Sequence, residues 1–310
     1  MTAHVAERGE GRGRVVLRLT GTDGANEHAI RAAIRIAKAF HSEIESLFVY
    51  DRQIFDAAGY SFVREIGMTQ AGRLAPHRAQ AQAKVHADVD GAKTATAINV
   101  ATVARQFDLV ARRLQRWVHD LAAQEDVPVQ DRLVHDTPLR ALRVACQMSG
   151  PWNVVALAEP FTAQSLTGLD MLFERVTGMT GVVLVGPRAA ATNGPVVAVI
   201  EDVERVSGML RTAERLASVH GADVVLAVAA PSRVAQSWLK GEVIDAAAGD
   251  HGAGVVELGC AGGGTAVLAE ALRQLRPGFV IAEHGGLLLP HTGDLKPLAA
   301  ALSCPLLVVR

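Results

Sequence analysis

The chain has 310 residues, 49% of them apolar but only 4% aromatic, and a formal net charge of −1. That length holds two ordinary domains, and a near-neutral balance with a pI near 6.8 argues against the basic footprint of a nucleic-acid or anionic-membrane binder. Cores of Ala, Val and Leu suit parallel α/β architecture, while Cys146, Cys260 and Cys304 are too scattered for a disulfide framework or a zinc cluster and read as buried thiols.

Met1 to Arg14 is polar and Gly-rich, with no apolar core for a signal peptide, and no later apolar run approaches membrane-spanning length. The expected location is the cytoplasm, with residues 1–13 a flexible N-terminus. Val15, Val16, Leu17 and Leu19 then predict a buried strand, and Thr20-Gly21-Thr22-Asp23-Gly24 a turn. Asn26 is placed as an N-cap for a helix whose face is Ile30, Ala33, Ile34, Ala37 and Phe40. Ile44 to Tyr50 is a second apolar strand. A β-α-β unit of this length implies a right-handed crossover and a parallel sheet.

Residues 52–97, rich in Ala, Gln, Gly and His, read as an insertion in which Phe55, Tyr60, Phe62, Val63 and Ile66 cluster near Gly59 and Gly67. From Val100 a helix is predicted by Val103, Phe107, Val110, Leu114, Trp117 and Leu121, with Asp108-Arg112 and Arg116-Asp120 pairs on its outer face. A helix packed on the sheet is preferred to a coiled-coil seam. A strand over Val127 to Val134 follows, then a helix capped by Asp136 or Thr137 with Pro138 in its first turn. Trp152 to Ala158 and Gly181 to Val185 are strands flanking a short helix over Leu166 to Val176, and residues 188–194 are a linker.

From Pro195 the opening unit returns. Arg31-Ala32-Ala33-Ile34-Arg35-Ile36-Ala37 lies over Arg211-Thr212-Ala213-Glu214-Arg215-Leu216-Ala217, and without a gap Glu43 falls on Asp223, Ile44 on Val224 and Phe48 on Val228. The offset is about 180 residues at the opening units and about 125 at the closing strands, so the first half carries about 55 extra residues. The second half continues with helices over Ser232 to Ala247, Thr265 to Leu275 and Leu295 to Leu302, alternating with strands at Val255 to Leu258, Phe279 to Ala282 and Leu306 to Val309. The chain therefore reads as a tandem duplication, residues 14–187 and 195–310. Its closing strands, Val182 to Val185 and Leu306 to Val309, are flat apolar edges expected to cover each other as an intrachain pseudo-dimer, with a homodimer left open.

In open parallel sheets ligands sit at the carboxyl ends of strands, which directs attention to Thr20 to Gly24, Glu159 to Gly168, Glu201 to Asp202 and Glu283 to Asp294. The run from Arg14 to Asp51, the turn His135-Asp136-Thr137-Pro138-Leu139 and the closing Ser303-Cys304-Pro305-Leu306-Leu307-Val308-Val309 resemble the universal stress protein family. The resemblance implies two tandem doubly wound parallel sheets of the adenine-nucleotide α-hydrolase-like kind, each with about five strands. ATP-binding members carry an Asp at the end of the first strand and a G-x-x-G, nine residues, G-[ST] stretch after the fourth. Here the opening acid position falls on Thr20 and Ile200, with Glu201 and Asp202 just beyond. After the fourth strand only Thr167-Gly168 remains in the first half, and Gly285, Gly286 and Gly293 in the second, with Asp294 where a hydroxyl would meet phosphate. Thr20, Gly21, Thr167, Gly168, Ile200, Glu201, Gly285, Gly286, Gly293 and Asp294 are thus candidate but degenerate nucleotide-site residues, since a carboxylate repels a triphosphate at short range.

Gly259 to Gly264 lacks the G-x-G-x-x-G fingerprint and reads as a turn, which disfavours a Rossmann-type oxidoreductase. Glu283, His284, His291 and Asp294 are close in sequence, but no helical or strand spacing converges them, and no metal is assigned. His135-Asp136 is read as capping and no catalytic residue is named. The expectation is a non-enzymatic, stress-linked regulatory or scaffolding protein without a cofactor. The alternative is an ATP or AMP sensor using the second half. Phe55 to Ile66 is the candidate protein-docking segment, with padding or a plug for the cleft as the other readings.

Overall fold

The computed structural model describes residues 13–19, 23–51, 100–147, 152–160, 168–185, 193–248, 253–260, 264–291 and 296–310. In chain order these form β1 (Arg14–Leu19), α1 (Asp23–Ala39), β2 (Glu43–Asp51), α2 (Val100–Ala123), β3 (Val129–Asp136), α3 (Pro138–Cys146), β4 (Asn153–Pro160), α4 (Leu169–Arg175) and β5 (Gly181–Val185). There follow β6 (Val196–Ile200), α5 (Val206–Ser218), β7 (Val224–Ala230), α6 (Arg233–Ala247), β8 (Gly254–Cys260), α7 (Gly264–Gln274), β9 (Phe279–Glu283), α8 (Lys296–Ala301) and β10 (Leu306–Val309). The insertion at 52–97, with its aromatic cluster, lies outside the described residues.

All ten strands share one sheet, in the order β3-β2-β1-β4-β5-β10-β9-β6-β7-β8. Every neighbouring pair is parallel except β5 and β10, which meet antiparallel with Leu306 opposite Leu184 and Val308 opposite Val182. Each half thus has the doubly wound order 3-2-1-4-5, and the two run in opposite directions from a shared seam. Alternation along the strands divides the core between the two faces. Val15, Leu17 and Leu19 join α1, α2, α5 and α6 on one face, whereas Val16, Val155 and Leu157 join α3, α4, α7 and α8 on the other.

The repeated helices also cross the seam. The buried Arg35 guanidinium on α1 donates twice to the Leu216 carbonyl, at 3.2 and 3.1 Å, and lies over the Phe279 ring at 5.3 Å. Its repeat equivalent, Arg215 on α5, lies over Phe40 at 5.5 Å. Each half therefore lends a cation to an aromatic ring of the other. Toward the outer edge, Arg14 bridges Glu43 and the buried Glu45, and Arg132 reaches Glu45 at 3.0 Å, so charges on β1, β2 and β3 are matched across the ladder.

Several expectations shift by a few residues. Helix α1 starts at Asp23, so Asn26 lies inside it rather than capping it. Thr137 is the backbone N-cap of α3 without a side-chain cap bond; Asp136 instead accepts from the Thr137 N–H and pairs with Arg140. Helix α2 buries Ala111, Leu114, Val118 and Ala122 against the sheet, which resolves the coiled-coil alternative. Asp108, assigned to its outer face, accepts the Tyr50 phenol. Cys146 and Cys304 are buried free thiols, each pushed up to about 12 by burial. No described helix is long and apolar enough to cross a membrane.

Val308 is fully buried at the seam between β5 and β9. Val308→Asp, which places an unpaired charge there, is expected to cost about 3–5 kcal/mol in urea denaturation. A loss below about 1 kcal/mol would show that the seam contributes little to stability.

Candidate functional site

The strand-tip site of the second half is built from β6 and β9. Strand β6 is buried along its whole length and delivers Glu201 as the first residue beyond its carboxyl end. Strand β9 ends at Glu283 and turns sharply: the His284 N–H donates to the Val309 carbonyl, and the Gly285 N–H to the Leu289 carbonyl, both at 2.9 Å. Gly285 adopts φ +83°, a conformation that strains any residue with a Cβ. Leu288 and Leu289 sink into the core and anchor the turn.

With those side chains held below, the Leu287 and Leu288 N–H groups face the Glu201 carboxylate. Leu287 donates to Oε2 and Leu288 to Oε1, the latter at 3.1 Å. Burial raises the Glu201 pKa, opposed by the two N–H donors and reinforced by nearby Glu283. Gly286 makes this approach possible: a Cβ there would stand 2.3 Å from Glu201 Oε2. Its backbone is not left-handed, so the demand is one of space alone.

Beside the carboxylate a cavity of about 450 Å³ is lined by Glu201, Gly264, Thr265, Leu268, Gly285, Gly286, Leu287 and Pro290. Glu283 pairs with Arg205 at 3.1 Å, and Asp202 caps the short 3-10 turn Val203–Arg205 by accepting from the Glu204 N–H. A larger cleft of about 850 Å³ lies at the opposite end, where β6, β7, β9 and β10 begin. Its cations are already engaged: Lys38 by Glu125 at 2.6 Å, Arg31 by Glu27 at 3.0 Å and Arg35 by the Leu216 carbonyl. The carboxyl-end cavity is therefore the candidate site.

Among the sequence candidates, Glu201, Gly285 and Gly286 come together at this tip. Ile200 does not join them, being 1% exposed within the strand. Strand pairing explains the displacement. Leu19 sits opposite Phe48 and Ile200 opposite Val228, so with Phe48 equivalent to Val228, Leu19 corresponds to Ile200 and Thr20 to Glu201. Gly168 serves as the backbone N-cap of α4 with an ordinary right-handed φ of −77°. Thr20, Gly21, Thr167, Gly293 and Asp294 lie outside the described residues.

A second cluster corrects the reading that no spacing brings the loop histidines together. His284 Nε2 lies 3.1 Å and His291 Nδ1 2.7 Å from the same oxygen, Asp170 Oδ1. Sequence reasoning missed Asp170 because it belongs to α4 in the first half, 121 residues before His291. At the first half's tip the Tyr50 ring stacks on His135 at 4.5 Å, and burial, with Asp108 adding, raises its phenol to about 12.

No family model matches the sequence, and no curated protein matches it. Solved structures do match. A universal stress protein of Archaeoglobus fulgidus is 11% identical, with 96% of each chain covered and a TM-score of 0.55. A putative universal stress protein of Pseudomonas aeruginosa is 12% identical over 96% of this chain and 92% of that one, with a TM-score of 0.51. A functionally unknown protein of the same species gives the same identity, coverage and score. At such identities the likeness is one of fold, and the chain has a universal-stress-protein-like α/β fold.

Gly286→Ala is expected to expel the Glu201 carboxylate from the loop and cost about 1–3 kcal/mol. In a Glu201→Ala background the same substitution should cost less by about 1 kcal/mol or more, as read from a denaturation double-mutant cycle. Equal costs in both backgrounds would uncouple the two residues.

Proposed function

We propose that the chain is a non-enzymatic regulatory or scaffolding protein of the universal-stress type, whose second-half nucleotide cleft is closed by its own Glu201. The observation that carries this reading is the Glu201 carboxylate on the Leu287 and Leu288 N–H groups. Backbone N–H groups beside glycines at a strand tip are the donors that a phosphate takes in open α/β sheets. Here an internal anion holds them. A Glu at the position of the family's Asp is one methylene longer and reaches across to the fourth-strand loop. Asp294, by its place in the sequence, adds a second carboxylate against a triphosphate.

A second reading, an ATP or AMP sensor in the second half, is favoured by the cavity of about 450 Å³ next to Glu201. In that reading a ligand displaces the carboxylate, and affinity is lowered by the work of displacement. Calorimetry with Mg·ATP and with AMP separates the two. Wild type is expected to give no saturable heat at micromolar protein, and Glu201→Ala a measurable isotherm. A micromolar isotherm from wild type overturns the closed-cleft reading and moves the assignment to the sensor.

A further inference from the structure

We infer that Asp170, His284 and His291 form a transition-metal site that staples the first half of the chain to the second. Two imidazoles and one carboxylate are a donor set suited to Zn²⁺ and its first-row neighbours. All three donor atoms lie within 4.8 Å of one another. A tetrahedral ion with bonds of about 2.0–2.1 Å needs donor separations of about 3.3 Å. The observed 3.1 and 2.7 Å from Asp170 Oδ1 therefore have to open by a few tenths of an ångström, and the two imidazole nitrogens, within 4.8 Å of each other, have to draw together by a side-chain rotation as the ion enters.

The surroundings hold these donors in place. The two imidazoles stand edge to face, with centroids 4.8 Å apart and planes at 80°, and each turns one nitrogen to the same Asp170 oxygen. The His284 ring rests on Phe173 at 4.6 Å, and its backbone N–H is fixed to the Val309 carbonyl. Gly285 keeps the turn close: a Cβ there would stand 2.5 Å from His291 Nε2. The site is graded in exposure, with side chains 12% exposed at His284, 38% at Asp170 and 62% at His291. It is thus walled on the Phe173 side and open on the His291 side, which gives an ion an entry path and leaves coordination positions for water. Because Asp170 comes from α4 and both histidines from the turn after β9, an ion here ties the halves together beyond the β5–β10 seam. This is independent of whether Glu201 closes the nucleotide cleft.

The test uses the full chain stripped with chelator and titrated with ZnCl₂ by calorimetry, and with Co²⁺ by visible absorption. The expected result is one ion per chain with micromolar or tighter affinity. A visible Co²⁺ spectrum of low-coordinate type and a melting temperature raised by about 5 °C in excess Zn²⁺ should accompany it. His291→Ala, at the most exposed of the three positions, should melt like wild type in chelator yet bind at least tenfold more weakly. Asp170→Asn should also weaken binding at least tenfold. Absence of a one-ion isotherm in wild type overturns the site, as does an isotherm unchanged in both variants. No nucleotide enters the assay, so its failure leaves the reading of Glu201 untouched.

Discussion

The antiparallel pairing of β5 with β10 is the constraint on which the rest of the molecule depends. Each half ends in an apolar strand whose backbone groups need a partner, and each satisfies the other through the Leu306–Leu184 to Val309–Gly181 ladder. Antiparallel closure points the carboxyl ends of the two half-sheets in opposite directions along the strands. It also lays the beginning of β5, with α4 just before it, against the end of β10. The Arg310 N–H donating to the Thr180 carbonyl records that placement, and the His284 N–H donating to the Val309 carbonyl brings the turn after β9 to the same point. Asp170 and Phe173 meet the His284 ring because the seam brings α4 there.

The same geometry gives the second-half tip its chemistry. A buried parallel strand such as β6 leaves its first polar residue at the edge, and that residue is Glu201. A half-buried carboxylate needs donors, and the turn after β9 supplies two N–H groups without a side chain. Glycine at 285 allows the turn, glycine at 286 allows the approach, and leucines at 288 and 289 fix the loop from below. Remove any one of these and the carboxylate loses either its room or its partners.

Most of the fold is legible in the sequence because hydrophobic period reports burial directly. Val15, Val16, Leu17 and Leu19 read as a buried strand and Ile30, Ala33, Ile34 and Ala37 as a helix face, and all eight are buried. The repeat likewise announces itself through Arg35 and Arg215, whose aliphatic neighbours stay in phase. The site was less legible for two physical reasons. Sequence alignment carried the helix offset of the repeat into the strand tip, whereas the sheet pairs Ile200 with Val228 and so equates Glu201 with Thr20, one residue further on. The Asp170–His284–His291 cluster is a product of tertiary closure, and no local period can report a contact between α4 and a turn so distant in the chain.

Closure of the second-half cleft depends on Glu201 occupying the N–H groups of the turn after β9, and amide hydrogen exchange at Leu287 and Leu288 reads that contact directly. Both amides should exchange slowly in the wild-type chain and lose protection in Glu201→Ala, while amides of β6 and β9 keep theirs. Fast exchange at both positions in wild type, or protection unchanged by the substitution, would contradict it.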